Sequence, residues 1–468
     1  MGRAQGRRDG LGLRARDHLG RRERRRRLQA DELLRLRRRP EGDRRGGADD
    51  GQPGHDLAGA EEAPLHRRPQ VPRGRDPRGA AGQLADLGAR LAGSEIRGLT
   101  RAPAPEAVDE AAALLAELID VPSPSGAEGR IVERVEQLCA EWELDCRRVG
   151  SETGRDSLVV GPPDPALAIA AHLDTVDAPW PARARVEGTI VHGLGAVDDK
   201  GGVVACLLAA RELRRGGDDL ARLGVTFALP VDEERGGSGS RALALELRPR
   251  YAIALEATEL NTGTAEIGDI EGIVHVGGES AHGARADLGV NAIDRAVAMI
   301  NALPSLELAR HSHALLGASS AEVSTIGAGT EFNTIPDRCS FKLGIRLVPG
   351  QSVERTLAAL ERLALDHFAY VELIEVTAPI ETPAASRVVE GLDAACRQVV
   401  GRGSEPIGVP AWTDAHNFHA FAGAEVVVFG PGGFDTAHTP EEHIDARQVV
   451  ECAGVFTELA RRGWREPG

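Results

Sequence analysis

The sequence predicts an α/β protein whose strand–helix alternation is interrupted once, by a smaller α+β segment. Three observations carry that prediction. Apolar runs of strand length occur at 157–160, 166–171, 224–230, 250–255 and 424–429, with helical stretches such as 201–214 between them, the alternation expected of a largely parallel sheet. Residues 267–376 depart from it, reading strand-helix-strand-strand-helix-strand. The 468 residues are enough for two or three domains with cores of their own, and they show neither an internal repeat nor a coiled-coil pattern.

Taken in order, residues 1–103 form a separate stretch. Arg-Arg-Glu-Arg-Arg-Arg-Arg (21–27), Arg-Arg-Arg-Pro (37–40) and Gly-Arg-Asp-Pro-Arg-Gly (74–79) offer little to bury, so the expectation is a disordered extension or an upstream frame read through a misplaced start. Order begins near 104. Residues 105–119 have the apolar spacing of an amphipathic helix. Pro-Ser-Pro-Ser-Gly (122–126) breaks it, and a second helix follows over about 127–142. The first part of the α/β domain then runs to 266. Within 267–376, Gly-Ile-Val-His-Val-Gly-Gly (272–278) and Arg-Cys-Ser-Phe-Lys-Leu-Gly-Ile-Arg-Leu (338–347) read as antiparallel strands, and 290–302 and 352–366 as helices. The α/β domain resumes over 377–468.

Charge and cysteine usage narrow the function. Residues 1–100 hold 24 Arg, no Lys and 15 acidic residues, a net of +9, while the rest of the chain carries −24. A body that acidic argues against nucleic acid or an anionic membrane as its partner. No apolar run approaches the ~20 residues of a membrane span. The arginines at the start are not followed by the apolar stretch of a secretion signal. The six cysteines, none at C-x-x-C spacing, point away from a thiolate metal site and toward a reducing cytoplasm.

The chemistry lies in five short pieces: Ala-His-Leu-Asp-Thr-Val (171–176), Gly-Leu-Gly-Ala-Val-Asp-Asp-Lys-Gly-Gly (193–202), Asp-Glu-Glu (232–234), Leu-Glu-Ala-Thr (255–258) and Ala-His-Thr-Pro-Glu-Glu (437–442). His172, Glu233, Glu234 and Glu256 each follow a predicted strand, His438 lies in the loop after another, and Asp198 precedes the helix at 201–210. In open α/β sheets ligands bind beyond the carboxyl ends of the strands, so these groups can converge on one rim. An imidazole with two or three carboxylates suits zinc, and two such sets sharing a carboxylate make a paired centre. Asp174 is placed to accept the other N–H of the His172 ring and fix its tautomer. The glycines at 193–195 lack the third glycine of a dinucleotide loop, and Gly236–Gly239 lacks the lysine of a phosphate loop.

Over residues 104–468 these pieces resemble the zinc amidohydrolases that include acetylornithine deacetylase, succinyl-diaminopimelate desuccinylase, aminoacylase and the glutamate-releasing carboxypeptidases. The resemblance implies a zinc-peptidase-like α/β catalytic domain (104–266 and 377–468) with an inserted ferredoxin-like lid and dimerisation domain (267–376). It implies two zinc ions per subunit, with cobalt or manganese as substitutes: His172 and Glu256 on one, Glu234 and His438 on the other, Asp198 bridging. Glu233 is then the general acid/base, and the Asp198–Asp199 peptide is cis. His282, in Ser280-Ala281-His282, matches a histidine that reaches the partner subunit of a homodimer. Asn333, in Glu-Phe-Asn-Thr-Ile-Pro (331–336), and Arg346, in Gly-Ile-Arg (344–346), match positions that contact substrate; Arg346 has the fork of donors that clamps a carboxylate. Leu194, Ala257 and the stretch 283–286 depart from common family residues without removing a ligand.

The function expected from the resemblance is hydrolysis of the amide bond of an N-acyl amino acid, with a metallo-carboxypeptidase or dipeptidase as the alternative and a non-catalytic zinc-bound protein as a distant third. The partners expected are a small N-acyl amino acid or short peptide and a second copy of the chain. The stretch 412–417 (Trp-Thr-Asp-Ala-His-Asn) is expected to line the site, with Asp414 or His416 favouring a cationic side chain.

Overall fold

The structure, a computed structural model, describes residues 102–180 and 183–465. The expectation for 1–103 lies outside these, apart from its last two residues. Helix α1 (Pro105–Ile119) opens with proline at its first turn, where the missing N–H costs nothing. It buries Val108, Ala111, Ala112, Leu115, Leu118 and Ile119 along one stripe. Helix α2 (Gly129–Glu141) follows the Pro-Ser-Pro-Ser-Gly break. Next come strands β1 (Cys146–Gly150), β2 (Asp156–Val160) and β3 (Leu167–Ala170), the short pair β4 (Arg185–Glu187) and β5 (Ile190–His192), and helix α3 (Lys200–Arg215). Strand β6 (Val225–Leu229), helix α4 (Ser238–Leu247) and strands β7 (Tyr251–Ala254) and β8 (Thr262–Glu266) complete the first part.

The insert begins one residue later. It comprises β9 (Gly268–Gly277), β10 (Ala281–His282), α5 (Ala292–Ala302), β11 (Ser320–Ala328), β12 (Thr334–Ile335), β13 (Arg338–Leu347), α6 (Val353–Asp366) and β14 (Ala369–Val376). Its four long strands form an antiparallel sheet in the order β11-β13-β9-β14. Along β13, Cys339, Phe341, Leu343, Ile345 and Leu347 are buried while Arg338, Lys342 and Arg346 are exposed. That period of two covers one face with α5 and α6 and leaves the other open.

The chain then returns through β15 (Ile380–Glu381), α7 (Arg387–Val399), β16 (Pro406–Val409), β17 (Glu425–Val428), β18 (His443–Asp445) and α8 (Ala446–Arg461). The main sheet runs β1-β2-β6-β3-β7-β17-β8-β15, with β16 beside β8. Its centre, β6-β3-β7-β17, is parallel, as the alternation predicts. Its edges mix senses: β1 and β2 form an antiparallel hairpin against β6, β8 pairs with β17 and β15 antiparallel, and β16 joins β8 in parallel. The central strands are buried on both faces, and each face has its own grain. Leu167, Ile169, Val225, Phe227, Leu229, Tyr251 and Ile253 face α1, α3 and α8, whereas Ala168, Ala170, Ala228, Ala252 and Ala254 face α4 and Phe418. The small side chains let α4 approach closely. Truncating Phe227 on the other face would leave a cavity costing about 3–5 kcal/mol. Among the described residues no helix is long and apolar enough to cross a membrane.

Candidate metal centre

The parallel strands point their carboxyl ends to one side, and the candidate residues sit just beyond them. His172 follows β3, Glu233 and Glu234 follow β6, Glu256 follows β7, and His438 lies in the loop after β17. Asp198 comes in from the turn between β5 and α3. The structure brings all six together. Asp198 lies between the imidazoles: Oδ1 is 2.9 Å from His172 Nε2 and Oδ2 is 3.1 Å from His438 Nε2. His438 Nε2 is also 3.0 Å from Glu234 Oε1. Donor atoms of His172, Glu233 and Glu256 fall within 4.8 Å of one another, as do those of His172, Asp198 and Glu234. His438 is the outermost, its side chain 45% exposed, and the other five lie below the surface.

The walls that hold these groups come from distant parts of the chain. His172 Nδ1 donates to the Asp174 carbonyl at 3.0 Å, which fixes the tautomer and leaves Nε2 free to bind. The Asp174 carboxylate, expected to do this, stands 3.6 Å from Nδ1. It instead accepts from Ser125 Oγ (2.6 Å), Glu233 N (3.0 Å) and Glu234 N (3.2 Å). Asp174 thus orients the imidazole through its backbone and the two glutamates through its side chain. Glu442 Oε1 accepts from Val197 N (3.0 Å) and Asp198 N (3.3 Å), and Asp199 Oδ2 accepts from His172 N (3.2 Å). The Asp198–Asp199 peptide is cis. At the start of α3 a Cβ on Gly202 would meet Asp199 Oδ1 at 2.1 Å, so only glycine lets the helix seat against that carboxylate.

Electrostatically the cluster is short of positive charge. Burial pushes the Glu233 and Glu256 carboxyls well above the carboxylate range, and neighbouring carboxylates add to this. Burial pulls His172 toward neutrality, but Asp174, Asp198 and Glu233 outweigh it and hold its proton well above the usual imidazole range. Hydrogen bonds to Asp198 and Glu234 push His438 up to about 10. Four carboxylates, two imidazoles and few charge partners make a site that draws in protons or cations. The oxygen and nitrogen donors fit two divalent ions, with Asp198 presenting one oxygen to each side.

The three candidates on the insert lie elsewhere. His282 lies on β10, paired with Thr334 of β12, and Asn333 just precedes β12, where its carbonyl accepts from Gly283 N at 2.6 Å. Both are exposed, and His282 Nδ1 accepts from Ala284 N at 3.1 Å. Arg346, on the open face of the insert's sheet, pairs with Asp269 and lies 3.9 Å from Glu271. Their hydrogen bonds and ion pairs stay within the insert. Of the stretch 412–417, Asp414 faces the cluster, its buried carboxyl pushed up to about 7 by burial. His416 turns away: Nδ1 is 2.9 Å from Glu266 and Nε2 is 3.0 Å from the Ile267 carbonyl. With both ring nitrogens engaged, His416 is not available to select a cationic side chain.

Sequence reasoning missed Glu442, Asp199, Ser125 and the buried Lys200, whose Nζ donates to the Leu118 (3.0 Å) and Val121 (2.9 Å) carbonyls. The second acid of Pro-Glu-Glu and the doubled Asp198-Asp199 were the only signals for the first two.

Comparison with known proteins agrees with this architecture. A family model described as Peptidase family M20/M25/M40 matches residues 168–462. An acetylornithine deacetylase of Myxococcus xanthus is 31% identical over 310 residues, covering 62% of this chain and 78% of that protein. A probable succinyl-diaminopimelate desuccinylase of Staphylococcus epidermidis is 23% identical, covering 74% and 96%. Among solved structures, an M20 metallo-carboxypeptidase of Sulfolobus solfataricus superposes with a TM-score of 0.63 at 17% identity, covering 75% of this chain and 99% of that one. A dinuclear metal-binding M20 peptidase of Bacillus subtilis gives 0.55 at 17% identity, covering 76% and 98%. At these identities the structural likeness is one of fold.

Proposed function

We propose that this chain, which belongs to peptidase family M20/M25/M40, is a two-metal hydrolase that cleaves the amide bond of N-acyl amino acids. The observation that carries the proposal is the Asp198 carboxylate set between two imidazoles with the buried Glu233 beside it. In this reading His172 and Glu256 hold one ion, Glu234 and His438 the other, and Asp198 both. The ions are zinc, with cobalt or manganese able to replace it. Such ions supply Lewis-acid polarisation of the scissile carbonyl and lower the pKa of an attacking water.

The protein's own part is positioning and proton transfer. Glu233 takes a proton from the water as its oxygen attacks the amide carbon. It gives that proton to the departing nitrogen as the C–N bond breaks, so the products are a carboxylate and a free amine. Asp174 fixes the Glu233 and Glu234 amides and, through its carbonyl, the His172 ring. The proposal extends to a homodimer in which His282 of one protomer reaches the site of the other, with Asn333 and Arg346 contacting substrate, Arg346 at its carboxylate. The cytoplasm is the proposed location, which six free cysteines suit.

The names of the relatives that match support an N-acyl amino acid over a peptide as substrate. The test is amine release by the zinc-loaded protein from N-acetyl, N-succinyl and N-formyl amino acids and from dipeptides. Preference for one N-acyl amino acid is expected. Turnover of dipeptides alone would make the protein a peptidase, and silence across the panel with metal bound would remove the enzyme reading. Glu234→Ala is expected to lose metal by elemental analysis.

A further inference from the structure

Glu233 is the residue whose position matters most to the proposed reaction, and the loop 232–237 carries it. That loop starts from an uncommon conformation: Asp232, the residue before Glu233, has φ +71°. Its carbonyl accepts from Gly236 N (3.1 Å) and Gly237 N (2.6 Å), which winds the loop around it. Its carboxylate is pinned from outside. Oδ2 accepts from Ser238 Oγ at 2.6 Å, and Oδ1 pairs with Arg155 Nη2 at 2.7 Å.

Arg155, just ahead of β2, is used at every edge of its guanidinium. Nη1 reaches Glu128 Oε1 at 2.5 Å, and Nε donates to Thr153 Oγ1 at 3.1 Å. Glu128 is buried, its side chain 1% exposed, and also accepts from Gly126 N. The segment containing Glu128 grips the site a second time, through Ser125 Oγ and the Asp174 carboxylate that holds the Glu233 and Glu234 amides. Two arms from residues 123–128 therefore close on one loop, one through Asp174 and one through Arg155. Without Arg155, two poorly exposed carboxylates would be left unpaired, and the arm through Asp232 would be repelled by Glu128 rather than held to it.

We propose that Arg155 is a positioning residue for amide hydrolysis: it ties Asp232 to Glu128 and thereby sets where the Glu233 carboxylate sits, while touching no reacting atom. The inference rests on Glu233 as the proton carrier. Misplacement of a catalytic group by about 1 Å can cost on the order of 100-fold in rate. Arg155→Gln is therefore expected to lower kcat by about 10- to 100-fold, with metal content unchanged and KM within about twofold.

Asp232→Asn, which keeps the Ser238 contact and tolerates positive φ, is expected to match it, and the double variant to be no worse than the worse single one. Arg155→Lys keeps the charge but not the fork, should fold where the glutamine variant does not, and is expected to fall between. Amide hydrogen exchange supplies a readout independent of turnover: the 232–237 amides are expected to exchange faster in the variant while those of α8 stay unchanged. A lowered melting temperature with unchanged kcat, or unchanged exchange in the loop, would overturn the proposal and leave Arg155 a structural ion pair. If the wild-type protein hydrolyses no amide, the hydrolase reading fails instead, and the exchange comparison still decides whether Arg155 positions the loop.

Discussion

Six ionisable side chains at one end of the main sheet answer to one another, whereas the three singled out on the insert answer only to their own segment. His172, Asp198, Glu233, Glu234 and Glu256 are shielded from solvent and reach the rim from three strand ends and the turn before α3. His282, Asn333 and Arg346 are exposed, as is Phe332, which is completely open beside Asn333. Burial is what makes the first group reactive, since it strengthens every electrostatic interaction and perturbs every pKa. Exposure is what would let the second group act on something the single chain does not contain. A buried carboxylate–imidazole rim and an exposed patch on the insert predict different responses to mutation.

The largest effect should come from inside the rim. If Glu233 carries the proton as proposed, Glu233→Gln leaves the proposed ligands in place, so turnover should fall by about 10²–10⁴-fold with metal retained. Surviving activity would move the proton role elsewhere. If His282 polarises the substrate carbonyl of the partner's site, His282→Ala is expected to cost about 100-fold, the scale for losing one oxyanion donor. The contrast is sharpest when these two inactive proteins are mixed. If His282 acts across a two-fold interface, half the dimers in a scrambled mixture are mixed and each has one intact site, so about a quarter of wild-type activity should return. No recovery would confine His282 to its own chain. Arg346→Ala should be milder, raising KM about tenfold with kcat preserved if Arg346 binds the substrate carboxylate. If Arg346 serves only Asp269 and Glu271, KM will not move.

How much of this was legible in the sequence depended on how local the cause was. The spacing in 105–119 and the strict alternation in 338–347 are properties of single segments, and α1 and β13 match them closely. The gathering of the rim residues was legible for a related reason: all but Asp198 follow an apolar strand, parallel strands end on the same side, and Asp198 stands at the start of a helix packed on that sheet. The antiparallel pairing at the β8 edge of the main sheet was not, because β8 meets β17 and β15 only after the whole insert has intervened. Glu442 was missed for the same reason, since it supports the Asp198 turn from 244 positions away. Asp174 shows a subtler limit. Its proximity to His172 was local, but which of its oxygens the imidazole takes was decided by Ser125 and the Glu233–Glu234 amides.

The smallest predicted effect concerns the seam between the two regions. The chain crosses from β8 to β9 through Ile267 and returns through Thr377, and the two crossings are zipped by Asp269 N to the Thr377 carbonyl (3.1 Å) and Thr377 N to the Asp269 carbonyl (2.8 Å). His416 braces the outgoing crossing: Nε2 lies 3.0 Å from the Ile267 carbonyl and Nδ1 2.9 Å from Glu266, an ion pair when the ring is charged. Burial pulls its pKa down, but Glu266 and the carbonyls prevail, and the folded-state value lies above the ordinary 6.5. A raised value means that the folded protein holds this proton more tightly than the unfolded chain does. The contribution to stability is then complete below about pH 6.5 and is lost as pH climbs through the folded-state pKa. His416→Gln cannot carry the charge and leaves Glu266 buried opposite a neutral group at every pH. The melting temperature of the wild type should exceed that of the variant by a few degrees at pH 6, and the gap should narrow toward pH 9. A gap that stays constant would mean that the imidazole is neutral in the folded protein, and the brace between the two regions would then be a matter of packing alone.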